Sequence, residues 1–151
     1  MKTRKEIEEK IGYSFKNATL LETAFTHSSY ANEKKITSNE RLEYLGDSIV
    51  NFIAGEYLYK RFQGKDEGFL SQNRALIVCG DTLCEAVEKA DLVKYLVTAG
   101  GAIVQDAKKS VKMRAGLFEA VVGAIYLDGG MAVAKKFIIS KLGDALKQIK
   151  P

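Results

Sequence analysis

A chain of 151 residues suits one compact domain, and with 46% hydrophobic and 28% charged residues it can bury a core and remain in water. No apolar run reaches the ~18 residues of a membrane span. The start, Met1-Lys2-Thr3-Arg4-Lys5-Glu6, enters a charged helical pattern with no apolar signal region, which argues against export and for the cytoplasm. A net charge of +4 leans mildly toward polyanionic partners and is no signature of them.

The single proline is Pro151, so nothing inside the chain forbids helix, and helical periodicity recurs throughout. Thr3 with Glu6 predicts a capping box opening a first helix that runs to about Gly12. Asn17 predicts the cap of a second, which carries Leu20, Leu21 and Phe25. Residues 29–38 read as a polar loop. Thr37 with Glu40 predicts a further capping box and a long helix to about Phe62, with Leu42, Leu45, Ile49, Phe52, Ile53 and Phe62 as its apolar set. Residues 63–68 form a turn, and a helix follows from about Phe69 to Cys79. Gly80-Asp81 breaks it, and Asp81 caps the next helix through about Lys89. A short apolar piece, Leu92 to Val97, leads to a basic loop over residues 101–110. Ser110 predicts the cap of a helix through Asp128, stopped by Gly129-Gly130, and a last amphipathic helix runs from about Met131 to Ile149. The fold expected is a single all-α domain of about seven to nine helices spanning residues 1–151. Cys79 and Cys84 match no metal-ligand spacing, and the one histidine, His27, adds no partner. The two cysteines read as buried, inert thiols of a reducing compartment, with a disulfide or redox pair as the alternative.

The run Asn39-Glu40-Arg41-Leu42-Glu43-Tyr44-Leu45-Gly46-Asp47-Ser48 interleaves acids with apolar residues at helical spacing. Glu40, Glu43 and Asp47 stand at i, i+3 and i+7 and share one face, while Leu42, Leu45 and Ile49 share another. Like charges on one face repel, and a divalent cation converts that repulsion into affinity. A second acid, Glu119, stands among the small residues Ala120, Gly123 and Ala124, with no basic residue at i±3 or i±4. Small residues let a neighbouring helix approach, and an unpaired carboxylate there fits a metal or a facing acid cluster; an exposed Glu on a packed helix is the plainer alternative. Lys108, Lys109, Lys112 and Arg114 precede this helix, and Lys34 and Lys35 precede the acidic run. They read either as solvated surface lysines and arginine or as groups that hold a phosphate backbone near a metal.

Taken together, these segments resemble the ribonuclease III family. Asn39 to Val50 is similar to that family's signature helix, Leu20 to Tyr30 to its upstream segment, and Glu67-Gly68-Phe69-Leu70-Ser71 to its third block. Phe118-Glu119-Ala120 and Gly123 to Gly130 resemble its last block, and the order and spacing also match. The resemblance implies a homodimeric, metal-dependent endonuclease domain that hydrolyses double-stranded RNA to 5′-phosphate and 3′-hydroxyl ends. It implies magnesium, or manganese, with no organic cofactor and no membrane. Carried over by position, Glu43, Asp47 and Glu119 are metal-site acids, with Asp47 and Glu119 taking part in catalysis. Glu40 and Glu67 match acids of the cleavage region and subunit interface. Most members continue into a double-stranded-RNA-binding domain, and none is recognised before Pro151.

One position departs from the pattern. The fourth metal-site acid is expected three residues before Glu119, where this chain has Gly116. Glycine offers no ligand, and it weakens a helix interior by ~1 kcal/mol relative to alanine, so helix propensity does not account for it. Three readings compete: an introduced change that disables the enzyme, a natural member that binds RNA or a ribonucleoprotein without cutting, and a weak enzyme in which water fills the coordination position. Asp106 and Asp128 are the nearest other aspartates, and neither shares a face with Glu119. A plain helical dimerisation module, with acids as surface decoration, is the remaining alternative.

Overall fold

In chain order the helices are α1 (Lys2–Ile11), α2 (Ala18–Ala24), α3 (Ser28–Lys34), α4 (Glu40–Arg61), α5 (Glu67–Val78), α6 (Gly80–Lys89), α7 (Val111–Gly129), α8 (Met131–Lys141) and α9 (Gly143–Lys147). A single 3-10 turn, Val93–Tyr95, lies between α6 and α7. The structure is a computed structural model and describes residues 2–99 and 110–151. Nine α-helices among the described residues meet the all-α expectation, and none of them is long and apolar enough to cross a membrane.

The longest helices, α4 and α7, pack along each other and form the centre of the molecule, with α5 against α4 and α2, α6 and α8 against α7. Ten residues of α7 are buried, from Ala115 to Ile125, so it is apolar nearly all round, as a central helix must be. Ser110 caps it through a hydrogen bond from the Met113 N–H, and Gly130, at φ +93°, ends it in a conformation that glycine adopts without strain. Asn17 caps α2 by accepting from the Thr19 N–H. Both caps were legible in the sequence.

Asp128 locks the far end of α7 onto the α1–α2 turn. It accepts hydrogen bonds from the Tyr13 hydroxyl at 2.6 Å and from the backbone N–H groups of Lys16 and Asn17 at 2.8 and 3.0 Å. Burial pushes this carboxyl up, but these donors and the Lys16 charge outweigh it and hold the group below its ordinary 3.8. Burial, with Asp128 adding to it, pushes the Tyr13 hydroxyl up to about 12. Asp128→Ala is expected to cost about 2 kcal/mol, the scale of lost charge-assisted hydrogen bonds, read from urea unfolding near neutral pH. Because the folded carboxyl titrates below the unfolded one, this stabilisation is full above pH 3.8 and is lost as the pH falls through the folded value. The gap between parent and variant should therefore narrow in acid.

Several expectations are corrected. Residues 28–34 form helix α3, where a loop was expected; only Ala31 is buried there, so the segment carries no apolar periodicity to betray it. Helix α1 begins at Lys2, which puts Thr3 inside it rather than at its cap. Thr37 does not cap α4. The Asn39 backbone N–H and side chain instead donate to the Thr26 and Ala24 carbonyls, fixing the start of α4 to the end of α2, and Ser38 Oγ accepts from the Glu40 N–H.

Helix α5 starts at Glu67, capped by Asp66, two residues earlier than expected. Cys79, not Asp81, precedes α6, and Asp81 lies in its first turn, favourably placed for the helix dipole. The last helix is two, broken at Leu142 before Gly143, which lets Leu146 turn into the core. Phe52 is 56% exposed, whereas Val50, Ala54 and Leu58 take core places. Both cysteines are free, but only Cys84 is buried, its thiol pushed by burial up to about 11. Cys79 is exposed.

Candidate active site

Two glycines decide where the acids meet. A methyl group on Gly46 of α4 would lie 1.7 Å from the Glu119 carbonyl oxygen, and one on Gly123 of α7 would lie 2.4 Å from the Leu42 carbonyl oxygen. The backbones of α4 and α7 therefore touch at this crossing. Glu43 and Asp47 lie within a turn of Gly46, and Glu119 lies four residues before Gly123, so the crossing brings all three residues to the wall of one cleft. The closeness of small residues on α7 was legible from Ala120, Gly123 and Ala124; the part played by Gly46 was not.

Beside the crossing is an open cleft of about 630 Å³, lined by Glu40, Glu43, Asp47 and Glu119 together with His27 and Lys112. Four of the five predicted acids thus share one cleft. Glu67 does not: it is exposed on α5, where its carboxylate accepts from the Ser71 hydroxyl at 2.6 Å. Asp128 is bonded elsewhere, about 18 Å beyond position 116 along α7 by helical rise, and cannot serve as the acid expected there. Asp106, Lys108 and Lys109 lie outside the described residues. Arg114 pairs with Glu88 of α6, and Lys34 lies over the Tyr30 ring; among the described basic residues noted in the sequence, Lys112 lines the cleft.

Gly116 is buried, directly beneath Glu43. A methyl group there would stand 2.8 and 3.1 Å from the two Glu43 carboxylate oxygens, so the Glu43 side chain occupies the space that an acid at 116 would enter. Burial pushes the Glu43 carboxyl up, Lys112 opposes that, and the nearby Glu40 and Asp47 charges add to it. Glu119 is shifted furthest. Burial, a hydrogen bond with Asp47 and the charges of Asp47 and Glu43 push its carboxyl up to about 9, so it holds a proton at neutral pH.

The donor set is all oxygen, which suits a hard divalent cation. The protonated Glu119 carboxyl lies within hydrogen-bonding reach of Asp47, and a cation bound between them would take the place of that proton. Among the described residues, no three potential ligands stand close enough around one point to form a finished cation cluster. By their chemistry Asp47 and Glu119 fit two ligands of a water-exposed cation site, and Glu43 would have to turn its flexible end away from Gly116 to join them.

A family model for ribonuclease-III-like proteins matches residues 17–146. This chain belongs to the ribonuclease III family. It is 44% identical over 137 residues to Ribonuclease 3 of Bdellovibrio bacteriovorus, an overlap of 89% of this chain and 58% of that protein. It is 41% identical over 138 residues to Ribonuclease 3 of Clostridium beijerinckii, covering 91% and 60%. The chain therefore spans about three fifths of the length of the curated relatives it matches. Its fold superposes on the nuclease domain of ribonuclease III from Campylobacter jejuni with a TM-score of 0.89 and 31% identity, covering 99% and 100% of the two chains. The similarity extends to Dicer from Pichia stipitis, with a TM-score of 0.65, 27% identity and coverage of 87% and 57%. A ribonuclease III nuclease domain is thus the unit to which the cleft belongs.

The proton on Glu119 makes a prediction for the metal-free chain. Its folded value is raised above the ordinary 4.5, so its contribution to stability is full below pH 4.5 and is lost progressively as the pH rises toward about 9. Glu119→Gln mimics the protonated form. Urea midpoints measured in chelator should fall with pH across this window in the parent and stay flatter in the variant. Magnesium bound at these carboxylates would displace the proton, so any stabilisation it gives the parent should grow as the pH rises.

Proposed function

We propose that this domain is a metal-dependent endoribonuclease that hydrolyses phosphodiester bonds of double-stranded RNA, leaving 5′-phosphate and 3′-hydroxyl ends. The observation that carries the reading is the meeting of Glu43, Asp47 and Glu119 from two helices on one cleft. Asp47 and Glu119 would hold magnesium, or manganese, with Glu43 as the third carboxylate. When bound, the ion supplies polarisation of the phosphodiester and neutralises its developing charge. Glu119 must give up its proton for this to occur, and the clustered negative charge favours a divalent cation in its place. Lys112, on the cleft wall, attracts an RNA phosphate toward the acids. Recognition is by duplex shape, since an A-form helix offers minor-groove hydroxyls and phosphates more than readable base edges.

The functional unit is proposed to be a homodimer. Tyr44 is 79% exposed on α4, beside an apolar cavity of about 700 Å³ lined by Leu20, Leu42, Leu45 and Leu127. An exposed ring next to a cavity large enough to take one forms a self-complementary patch, the requirement of a two-fold interface. Placing Glu40 and Glu67 in the cleavage region rests on this dimer. Tyr44→Asp puts a charge into the contact and should shift the chain from dimer to monomer in sedimentation, with the melting profile of the monomer retained. An unchanged sedimentation coefficient would remove this face from consideration.

A labelled RNA duplex incubated with magnesium and this chain tests the activity. Cleavage to products that accept ligation at a 5′-phosphate, abolished in Glu119→Gln, is the expected result. Gly116 supports a second reading, a family member that binds duplex RNA without cutting it, because the Glu43 carboxylate fills the place of the absent acid. Binding without cleavage would bring that reading forward, and neither binding nor cleavage would sink both.

A further inference from the structure

The cleft wall also carries a polar group that is not a carboxylate. His27 precedes α3 and lines the cleft with Glu40, Glu43, Asp47 and Glu119. Its Nδ1 is committed: the Ser29 backbone N–H donates to it at 3.1 Å, and Ser29 Oγ lies 2.8 Å from it. Ser29 Oγ itself accepts from the Ala99 N–H at 3.1 Å, which leaves its own proton to donate to Nδ1. With two donors aimed at Nδ1, the ring proton belongs on Nε2. Nε2 has no hydrogen-bond partner among the described residues. Burial lowers the basicity of the ring, with Glu40 partly opposing, and this favours the neutral form.

To ligate a cation through Nε2 the ring would have to move its proton to Nδ1 and break the bonds that Ser29 makes there, so His27 is set up as a donor rather than as a metal ligand. It is a neutral donor on a wall otherwise dominated by carboxylates, which repel a phosphodiester. Together with the Lys112 ammonium it gives the cleft donors with which to hold an anionic strand over the acids. The two differ in kind: Lys112 attracts at a distance, whereas a fixed N–H selects a position.

We propose that His27 is a substrate-binding residue whose Nε2–H donates a hydrogen bond to a backbone oxygen of the RNA strand lying over Glu43, Asp47 and Glu119. This rests on the reading of the cleft as a duplex-RNA site. A ribose 2′-hydroxyl and a phosphate oxygen are both acceptors for it.

The test is the affinity of the chain for a fluorescent RNA duplex, measured by anisotropy in calcium and with the duplex checked intact on a gel afterwards. His27→Asn keeps an acceptor for the Ser29 N–H, hence the cap of α3, but removes the far nitrogen. His27→Gln places an amide nitrogen near the position of Nε2. His27→Asn should melt with the parent and bind about tenfold more weakly, the scale of one lost hydrogen bond, while His27→Gln recovers most of the affinity. The salt dependence of binding should be unchanged in His27→Asn, because the contact carries no charge, whereas Lys112→Ala should weaken binding and reduce the salt slope by about 1. On a duplex with 2′-deoxyribose in the bound strand, the gap between parent and His27→Asn closes if the acceptor is the 2′-hydroxyl and persists if it is a phosphate. If His27→Asn binds as tightly as the parent while Lys112→Ala is weakened, this inference is overturned and the cleft remains an RNA site. If the parent binds no duplex at all, the site reading fails, and the role of His27 with it.

Discussion

Gly116→Asp is expected to raise magnesium-dependent cleavage of duplex RNA by about a hundredfold, equivalent to ~2.7 kcal/mol of barrier. An aspartate at 116 and Glu119 stand at i, i+3 on α7 and present two carboxylates to the same side, opposite Asp47. Its Cβ would lie 2.8 Å from a Glu43 carboxylate oxygen, but every close contact belongs to the end of a flexible side chain, so Glu43 can turn aside. That movement frees Glu43 to join the ligands. A metal-dependent gain should be accompanied by a penalty without metal. A fourth carboxylate enters a cluster in which Glu119 is already pushed up to about 9, so the variant should melt below the parent in chelator and show the larger rise on adding magnesium. Equal cleavage by the two chains, with equal responses of melting temperature to magnesium, would show that position 116 contributes nothing to the metal site.

The sequence carried the site further than it carried the contacts that build it. Glu40, Glu43 and Asp47 share a helix face by spacing alone, and Glu119 stood out because nothing within a turn could pair with it. The caps at Asn17 and Ser110 and the stop at Gly129-Gly130 were equally local, and the structure keeps them. What escaped was set by partners distant in the chain. Helix α3 buries only Ala31 and is capped by a histidine, so it offered neither periodicity nor a usual cap residue. Arg114 reads as part of a basic cluster until Glu88, 26 residues upstream, is seen to pair with it. Lys112 then remains as the described member of that cluster lining the cleft. The absent acid at 116 was visible only through resemblance to a family, whereas the carboxylate that covers Gly116 was visible only in the fold. Sequence gives the cost of a glycine in a helix, but not the backbone that makes it necessary.

Gly46→Ala is expected to cost more than 4 kcal/mol, a large part of the ~5–15 kcal/mol that holds a domain of this size together. The added methyl would lie 1.7 Å from the Glu119 carbonyl oxygen, 2.5 Å from its carbonyl carbon and 3.1 Å from its Cα. All three atoms are backbone in the middle of α7, so no rotamer change relieves them. Non-bonded heavy atoms settle near ~3.5–4.0 Å, and the helices would have to part by close to 2 Å. Such a shift withdraws Glu119 from Asp47 and opens space around buried Leu42, Ile49 and Val122, combining overpacking at one point with a cavity beside it. Gly55→Ala is the matched control, since Gly55 lies in the same helix and its methyl would meet only the Arg74 side chain at 3.8 Å, an ordinary contact. There the helix propensity of alanine should prevail and stabilise the chain by about 0.5–1 kcal/mol. The same substitution in one helix thus takes opposite signs, and urea unfolding of the two variants separates packing from propensity. If Gly46→Ala proved as stable as Gly55→Ala, α4 and α7 could not cross backbone to backbone, and the placement of Glu119 beside Glu43 and Asp47 would fall with that crossing.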